Sequence, residues 1–267
     1  MKSALRTGMA SVLACAALAW SGQAAAQAIP TPDDLADAYR RTVRQQLHPP
    51  SDDIRYYATS ALLMLGSAGI TLNEPQYLVV VDRSPNVQAI LVYWLGAPSM
   101  QRLIGASPVS TGRIGQFDHF QTPTGVFDHS VTDGDFRAEG TKNEFGIRGY
   151  GRKGMRVYDF GWQQALRGWG RGGMGTMRLQ MHATDPDILE SRLGRVQSKG
   201  CVRIPASLNV FLDRFGVLDA DYEAEARAGR PLWVLSPDRT PVDGAGRYLV
   251  IVDSGRTARP PWSPAPR

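Results

Sequence analysis

The chain opens with two amphipathic segments whose apolar residues recur at helical spacing. Thr31-Pro32 supplies a capping hydroxyl and a proline at the first helical position, and behind it apolar residues return every fourth position, at Leu35, Tyr39, Val43 and Leu47. The dipeptide at 49–50 breaks this pattern, and Ser51 restarts it with an apolar face of Ile54, Tyr57, Ala58, Ala61, Leu62 and Leu65. The pattern predicts two helices that form a small N-terminal element.

From Tyr77 the pattern changes to β-branched and aromatic runs separated by turn clusters. We expect strands at YLVVV, VQAILVYWL, RLIGASPVST, VFDHSV, MRVYDF, MRLQMHA, PLWVL and YLVIV. Short helices fit only residues 186–192, 205–215 and 220–228. Many short strands with few helices predict a mainly β fold, a sandwich or barrel-like domain with short helices. The residues after position 253 are rich in proline, arginine and serine, which predicts a disordered tail.

The first 28 residues have the pattern of a secretory signal peptide. A basic start and a short apolar stretch lead to Ala26-Gln27-Ala28, which predicts cleavage after Ala28 and a periplasmic protein. Cys15 raises the alternative of lipoprotein processing, which Leu13 and the apolar sequence beyond the cysteine disfavour. No later stretch approaches the roughly 20 apolar residues of a membrane-spanning helix. We therefore expect no transmembrane segment.

Charge and length narrow the function further. Loss of Lys2 and Arg6 with the signal peptide would lower the formal net charge from +5 to +3, and the basic residues form no run or stripe. The sequence thus gives no support for nucleic-acid binding. The modest excess of positive charge suits a partner that bears carboxylates or phosphates. The remaining length suits one main domain with small appendages. We divide it into a helical segment at 29–74, a main domain at 75–236 and a C-terminal strand and tail at 237–267, and expect a monomer.

Cys201 would be the only cysteine left after signal cleavage, because the chain contains two. A lone thiol in an oxidising compartment indicates either an intermolecular disulfide or a reactive thiol. Its neighbours include Lys199, Gly200 and Arg203, which predict an electropositive setting that favours the thiolate. We favour a reactive thiol over a buried, inert one.

His182 is the imidazole that could serve this thiol. It ends a strand-like run in which Met177, Leu179 and Met181 alternate with polar residues, so it points away from the apolar face. Fifteen residues separate it from Ser198, and this detour can return the chain to the same place. A thiol beside an imidazole is the minimal unit of nucleophilic acyl transfer. Gly200 would permit close approach of the backbone, and nearby amides could stabilise an oxyanion.

Two other interpretations are weaker. A zinc site needs three or four ligands, and the additional imidazoles of His119 and His129 show no recognisable spacing with His182. The run from Gly170 to Gly175 matches G-x-G-x-x-G, but it precedes a strand-like segment instead of opening a helix after a strand. We expect no metal and no cofactor, and interpret the glycine run as a flexible loop.

The motif H-x15-S-K-G-C-V-R closely resembles the signature of the L,D-transpeptidase catalytic domain family (YkuD-like), a histidine followed after about 14–17 residues by Ser/Thr-His-Gly-Cys. PVSTGR at 108–113 and TPTG at 122–125 also resemble motifs of that family, in the same order. The resemblance covers roughly residues 77–236. It implies a mostly β periplasmic domain that acts on peptidoglycan stem peptides, with Cys201 as nucleophile and His182 as base. The candidate substrate or oxyanion contacts are Ser198, Lys199, Gly200 and Arg203.

In the family that the chain resembles, the thiol attacks the bond between an L-centre, usually diaminopimelate, and a terminal D-alanine. The thioester then passes to an amine of a second stem or of an anchored lipoprotein. Lys199 stands where the family has a histidine, which changes the donor site and leaves open whether the lysine lowers the thiol pKa or is merely solvated. Two alternatives remain. The first is a hydrolase (L,D-carboxypeptidase) that uses the same pair of Cys201 and His182, here called the dyad, and the second is a non-catalytic exported wall-binding module. In the glycine- and tryptophan-rich segment 132–175, Trp162 and Trp169 are interpreted either as a lid over the cleft or as aromatic residues that only pack.

Overall fold

The computed structural model describes residues 29–96, 101–230 and 232–266, so the predicted signal peptide lies outside the described residues. The helices are α1 (Pro32–Thr42), α2 (Ser51–Ser67), α3 (Ala206–Phe215) and α4 (Ala220–Arg227). The strands are β1 (Gln76–Asp82), β2 (Ala89–Leu95), β3 (Gln101–Pro108), β4 (Gly125–Asp128), β5 (Phe136–Arg137), β6 (Arg156–Leu166), β7 (Met174–Ala183), β8 (Val202–Ile204) and β9 (Tyr248–Val252). The described part of the chain is mainly β, as predicted.

Both predicted N-terminal helices are present, and local capping explains where they begin. The Thr31 hydroxyl accepts a hydrogen bond from the Asp34 amide at 3.2 Å, while the Asp34 carboxylate accepts one from the Thr31 amide at 3.0 Å. This reciprocal capping box satisfies amide groups that a helix start otherwise leaves unpaired. Helix α2 begins at Ser51, directly after the proline pair that interrupts the first helical pattern.

The strands form two sheets, which we call sheet A and sheet B. Sheet A has the strand order β3-β2-β1-β9-β4, and sheet B has the order β5-β6-β7-β8. Neighbours run antiparallel except for the pairs β1–β9 and β7–β8, which are parallel. The parallel β7–β8 pair matters for the site, because it aligns the end of one strand with the start of the other.

One hydrophobic core fills the space between the two sheets. The inner faces of β1 and β9 contribute alternate residues such as Val79 and Ile251, and those of β7 and β8 contribute Leu179, Met181 and Val202. Helices α1 and α3 close this core with further apolar side chains. A second core lies on the outer face of sheet A, where α2 covers it. The order of layers is thus α2, sheet A and sheet B.

The outer face of sheet B carries polar side chains instead of a second apolar layer. Strand residues alternate between faces, so the neighbours of the core residues on β6, β7 and β8 all point outward. We call this surface the polar face of sheet B; it comprises Asp159, Trp162, Gln164, Thr176, Arg178, Gln180, His182, Cys201 and Arg203.

Two predicted elements are wrong. Residues 232–235 of the predicted strand PLWVL form a turn, in which the Leu235 amide donates to the Leu232 carbonyl at 3.0 Å and Trp233 is exposed. Residues 186–192, predicted as a helix, form turns and one short 3₁₀ segment. There the Asp185 carboxylate accepts hydrogen bonds from the Asp187 and Ile188 amides, a local arrangement that competes with a helix.

The C-terminal residues also differ from the prediction, because they are packed rather than disordered. Trp262 meets the ring of Tyr57 on α2 edge to face at 6.2 Å. The Ser263 hydroxyl donates to the Asn86 carbonyl at 2.8 Å, and Ala265 is buried. Strand β9 lies within sheet A, so the predicted boundary at residue 236 would cut through one sheet. Apolar anchors spaced along this segment outweigh its disorder-prone composition.

Candidate active site

The parallel pairing of β7 with β8 brings the predicted nucleophile and base to one place. Met181 pairs with Val202 and His182 with Arg203, so Cys201, one residue before Val202, lies beside Gln180. The thiol Sγ is 3.9 Å from the carbonyl oxygen of Arg178, which lies on β7 two residues before Gln180. His182 and Cys201 are therefore diagonal neighbours on the polar face of sheet B, about 8 Å apart at Cα by strand geometry. No direct hydrogen bond joins the thiol to the imidazole among the described residues.

The hydrogen bond of His182 fixes its tautomer. Its Nδ1 lies 2.8 Å from the Ala183 carbonyl oxygen, which can only accept, so Nδ1 carries the hydrogen. Burial lowers the pKa of His182 to about 4, with the Arg203 charge adding to this effect and the Ala183 contact opposing it. The imidazole is thus neutral at pH 7, and its Nε2 holds a lone pair that can accept a proton.

The environment of Cys201 does not favour the thiolate at rest, contrary to the prediction from its neighbours in sequence. Burial raises the pKa of the Cys201 thiol, and a backbone hydrogen bond from Gln180 and the Arg203 charge only partly oppose this. A raised thiol pKa and a lowered imidazole pKa both disfavour a resting thiolate–imidazolium pair. Both groups are therefore neutral at pH 7 in the resting structure.

The loop before Cys201 is held by its own serine and by Thr122 of the TPTG motif. Ser198 Oγ donates to the Cys201 carbonyl at 2.6 Å and accepts from the Gly200 amide at 3.1 Å. Thr122 Oγ1 donates to the Gly200 carbonyl at 2.6 Å. Ser198 is buried, and the Gly200 amide is engaged, so the structure gives both residues a role in shaping the loop. The predicted substrate or oxyanion contacts of these two residues stay predictions.

Gly200 is required by backbone geometry and by space. Its φ is +135°, a region that side chains strongly disfavour, and a Cβ there would lie 2.7 Å from both Sδ and Cε of Met177. Gly112 of the PVSTGR motif is similarly confined, since a Cβ would lie 2.0 Å from the Phe120 carbonyl oxygen. The two glycines let three backbone segments meet immediately behind the thiol.

The PVSTGR motif forms the other support of the cysteine loop. Ser110 and Arg203 exchange backbone hydrogen bonds at 3.0 and 2.9 Å. The Thr111 carbonyl accepts from the Gln197 and Ser198 amides, both at 2.9 Å. The two upstream motifs therefore contact the cysteine loop directly, a relation that the sequence order alone does not reveal.

Lys199 and Arg203 flank the cysteine but occupy different environments. The Lys199 Nζ lies 3.0 Å from Asp118 Oδ2, and both side chains are mostly exposed. Lys199 is thus a surface ion-pair residue rather than a neighbour of the thiol. The Arg203 side chain is half-buried on the polar face, and burial lowers the pKa of its guanidinium. Among the described residues no carboxylate lies within ion-pair distance of Arg203.

Sequence inspection missed a polar network that surrounds His182. The Tyr150 ring packs edge-on against the imidazole with centroids 4.7 Å apart, and its hydroxyl donates to Gln180 Oε1 at 3.1 Å. Gln180 Nε2 donates to Asp159 Oδ2 at 2.8 Å, an oxygen that also accepts from Arg178 Nε at 2.8 Å. The i, i+2 relation of Arg178, Gln180 and His182 was the available signal. Tyr150 comes from a distant loop and had no such signal.

Tyr150 also separates the imidazole from a neighbouring cavity. This cavity has a volume of about 470 Å³ and is lined by Phe136, Arg137, Glu139, Gly140, Thr141, Gly149, Tyr150 and Gly151. Burial raises the pKa of the Tyr150 hydroxyl, and the nearby Cys201 adds to this rise. Tyr150 is therefore a neutral wall between the dyad and the cavity at physiological pH.

The two tryptophans assigned to a lid lie in separate places. Trp162 is 65% exposed on β6, opposite Arg178. Trp169 lies in the β6–β7 connection and packs on Phe120, with ring centroids 4.7 Å apart. Residues 170–173 of the glycine run lie in the turn of the same hairpin, as predicted, whereas residues 174–175 belong to β7. Segment 132–175 therefore includes β5 and β6 of sheet B and is not a single lid.

His129, one of the other histidines considered as a metal ligand, lies in a buried cluster of charged and aromatic side chains. His129 is buried, with its Nε2 2.9 Å from Asp135 Oδ1 and its ring stacked on Tyr222. Arg156, also buried, donates to Asp135 at 2.6 Å, so His129 belongs to a buried charge cluster. Across 29–96, 101–230 and 232–266, no group of three or more His, Cys, Asp or Glu side chains is arranged to hold a metal ion.

No helix in the described part of the chain is both long and apolar enough to cross a bilayer.

Comparison with known proteins gives little beyond this geometry. No family model matches the chain, and no curated protein matches it. Among solved structures, the chain is similar to a point mutant of the helical cell shape determining protein Pgp2 from Campylobacter jejuni, at 12% identity and a TM-score of 0.31. The match covers 86% of this chain and 57% of that chain, so this chain spans little more than half of that protein. A superposition of this quality establishes neither a shared fold nor a shared activity.

Proposed function

We propose that this protein is a periplasmic cysteine acyltransferase that acts on peptidoglycan stem peptides, with an L,D-transpeptidase-like catalytic domain. The observation that carries the proposal is the placement of Cys201, His182 and Arg203 on the polar face of sheet B, at the paired ends of β7 and β8. The two motifs that resemble the family upstream, PVSTGR and TPTG, contact the cysteine loop through hydrogen bonds. Four parts of the resemblance thus meet at one site: His182, the cysteine loop, PVSTGR and TPTG.

The first half-reaction uses the lone pair that the His182 tautomer leaves on Nε2. As substrate displaces water, Nε2 of His182 accepts the thiol proton, and Sγ attacks the carbonyl carbon of the stem peptide. The tetrahedral oxyanion collapses, the C–N bond breaks, and the proton on the imidazole passes to the departing amine of D-alanine. The product is a thioester on Cys201. An amine then attacks it in transfer, or water in hydrolysis, with His182 again accepting the proton.

Arg203 supplies the charge that a stem peptide requires. A terminal D-alanine and a diaminopimelate side chain both carry carboxylates, and a guanidinium binds a carboxylate with two parallel hydrogen bonds. Arg203 has no ion-pair partner among the described residues and is half-buried, so such a pair would form away from bulk water. This arrangement would also hold the reacting carbonyl near the thiol.

The test is mass spectrometry of purified muropeptides incubated with the protein, with Cys201→Ala as the inactive control. Cross-linked dimers that depend on Cys201 would support transfer, and monomers shortened by D-alanine would assign the L,D-carboxypeptidase alternative. If wild-type protein leaves a full muropeptide set unchanged, the enzyme proposal fails and a wall-binding role is indicated. Lys199→Ala, an exposed neighbour of the same loop, controls for nonspecific loss and should keep the wild-type product pattern.

A further inference from the structure

We propose that Trp162 is a binding platform for a sugar ring of the substrate, and that the polar face of sheet B recognises a glycan-linked stem peptide rather than a free peptide. The inference rests on the proposed function, because it extends the same site outward from Cys201. The exposed indole of Trp162, on a strand of the site, has no part in the proposed chemistry of Cys201 and His182.

The packing of the fold leaves most of the Trp162 side chain exposed. Its side chain is 65% exposed although it belongs to β6, an interior strand of sheet B. Trp94, Trp169 and Trp262, by contrast, each pack against another aromatic ring of the protein. A large aromatic side chain exposed on a functional face indicates a surface that is covered when a ligand binds.

The pairing of strands places Trp162 on the same face as the thiol. Trp162 pairs with Arg178, and Arg178 alternates with Gln180 and His182 along β7. Cys201 lies beside Gln180 on the far side of β7. Two strand spacings across and two residues along the strand give a separation of about 12 Å between Trp162 and Cys201.

This separation matches the geometry of a stem peptide attached to its sugar. In a four-residue stem the attacked carbonyl belongs to the third residue, so three extended residues, about 10 Å, lie between that carbonyl and the sugar. A stem laid across the polar face from Cys201 toward β6 would therefore bring its sugar to the indole.

The surroundings of Trp162 have the mixture of groups that a sugar needs. The face of an indole carries partial negative charge and attracts the weakly positive C–H groups on one side of a pyranose ring. Next to it on the same face, Gln164 Nε2 donates to Thr176 Oγ1 at 2.8 Å, and this amide and hydroxyl can pair with sugar hydroxyl and acetamido groups. The Arg178 guanidinium lies 5.8 Å from the Trp162 ring centroid and is anchored by Asp159.

The test compares two substrates of the same peptide sequence, a disaccharide-tetrapeptide and the free tetrapeptide. For Trp162→Ala, the ratio of kcat/KM for the disaccharide-tetrapeptide to that for the free tetrapeptide should fall about tenfold, and Trp162→Phe should restore most of it. Trp233→Ala is the matched control, since Trp233 is also a highly exposed tryptophan but lies in a turn away from sheet B. It should leave the ratio unchanged. An unchanged ratio in Trp162→Ala overturns the proposal.

A binding arm separates this proposal from the reaction itself. Calorimetry with Cys201→Ala protein should show tighter binding of the disaccharide-tetrapeptide than of the free tetrapeptide, and Trp162→Ala in that background should remove the difference. Wild-type protein could turn over neither substrate while Cys201→Ala protein shows this difference in binding and the added Trp162→Ala removes it. In that case the platform stands and the proposed reaction fails. If both peptides bind equally, or the difference survives Trp162→Ala, the platform is refuted whatever the activity.

Discussion

Thr122 should be one of the most sensitive single positions for the integrity of the candidate site. The side chain is fully buried, and its hydroxyl makes two hydrogen bonds to backbone groups. It accepts from the Gly112 amide at 2.8 Å and donates to the Gly200 carbonyl at 2.6 Å. Thr122→Val keeps the branched shape but removes both interactions. One amide and one carbonyl would then be buried without partners, directly behind the cysteine loop.

The expected cost follows from those two groups. Leaving a buried donor or acceptor unpaired costs about 1–3 kcal/mol, so Thr122→Val should lower the free energy of unfolding by about 2–6 kcal/mol. Thr122→Ser keeps the hydroxyl and loses one methyl group, which costs about 1 kcal/mol. Comparison of the two variants therefore isolates the hydroxyl from the loss of apolar volume.

Equilibrium urea unfolding of wild type, Thr122→Ser and Thr122→Val measures these differences. The rate of Cys201 alkylation in the native state gives a local readout, and it should rise in Thr122→Val because the loop is less restrained. Unfolding free energies of the valine and serine variants that agree within about 0.5 kcal/mol would refute the reasoning, since two unpaired buried groups require a larger gap.

Three further predictions follow from charges and pKa values. The pKa of His182 is lowered to about 4 from 6.5, so the folded state binds fewer protons, and stability present above pH 6.5 should be lost as the pH falls through 4. His182→Gln should flatten that part of a urea-unfolding profile, and an unchanged slope would contradict the assignment. Arg156→Met should cost about 3–5 kcal/mol in urea unfolding, because it leaves two buried aspartates without their cation, and a cost below about 1 kcal/mol would contradict this. Arg203→Ala should shift the pH profile of Cys201 alkylation by iodoacetamide to higher pH, while Lys199→Ala should not; equal profiles for the two variants would contradict the different environments of these cations.

Helices and strands could be predicted where the residues that determine them are close in sequence, but not where they depend on contacts with distant residues. Helix α1 could be predicted because Thr31 and the periodic apolar residues act within a few positions of one another. The strand with His182 could be predicted because alternation is also local. The sequence of residues 231–235 has the same apolar character, yet the described residues 232–235 have no neighbouring strand and form a turn. An apolar run becomes a strand only where a partner strand is available.

The candidate site shows the same division. Cys201 and His182 could be singled out from the sequence, and the register of β7 with β8 makes them diagonal neighbours on one face. The electrostatics could not be predicted in this way, because Lys199 turns toward Asp118 and burial, not flanking charge, dominates at the thiol. Tyr150 reaches the imidazole through a loop whose path depends on the whole of sheet B, so no local pattern announces it.

The position of β9 in sheet A has a consequence for the order in which the chain folds. Val79 of β1 pairs with Leu249 of β9, and Phe127 of β4 also pairs with Leu249, so β9 joins the two otherwise separate parts of the sheet. The β1–β2–β3 meander can form from neighbouring residues, but sheet A cannot be completed until residues 248–252 arrive. Pairings between such distant residues form slowly. A chain shortened before β9 would leave two apolar strand edges open to other chains, and aggregation rather than a smaller folded domain is the expected result.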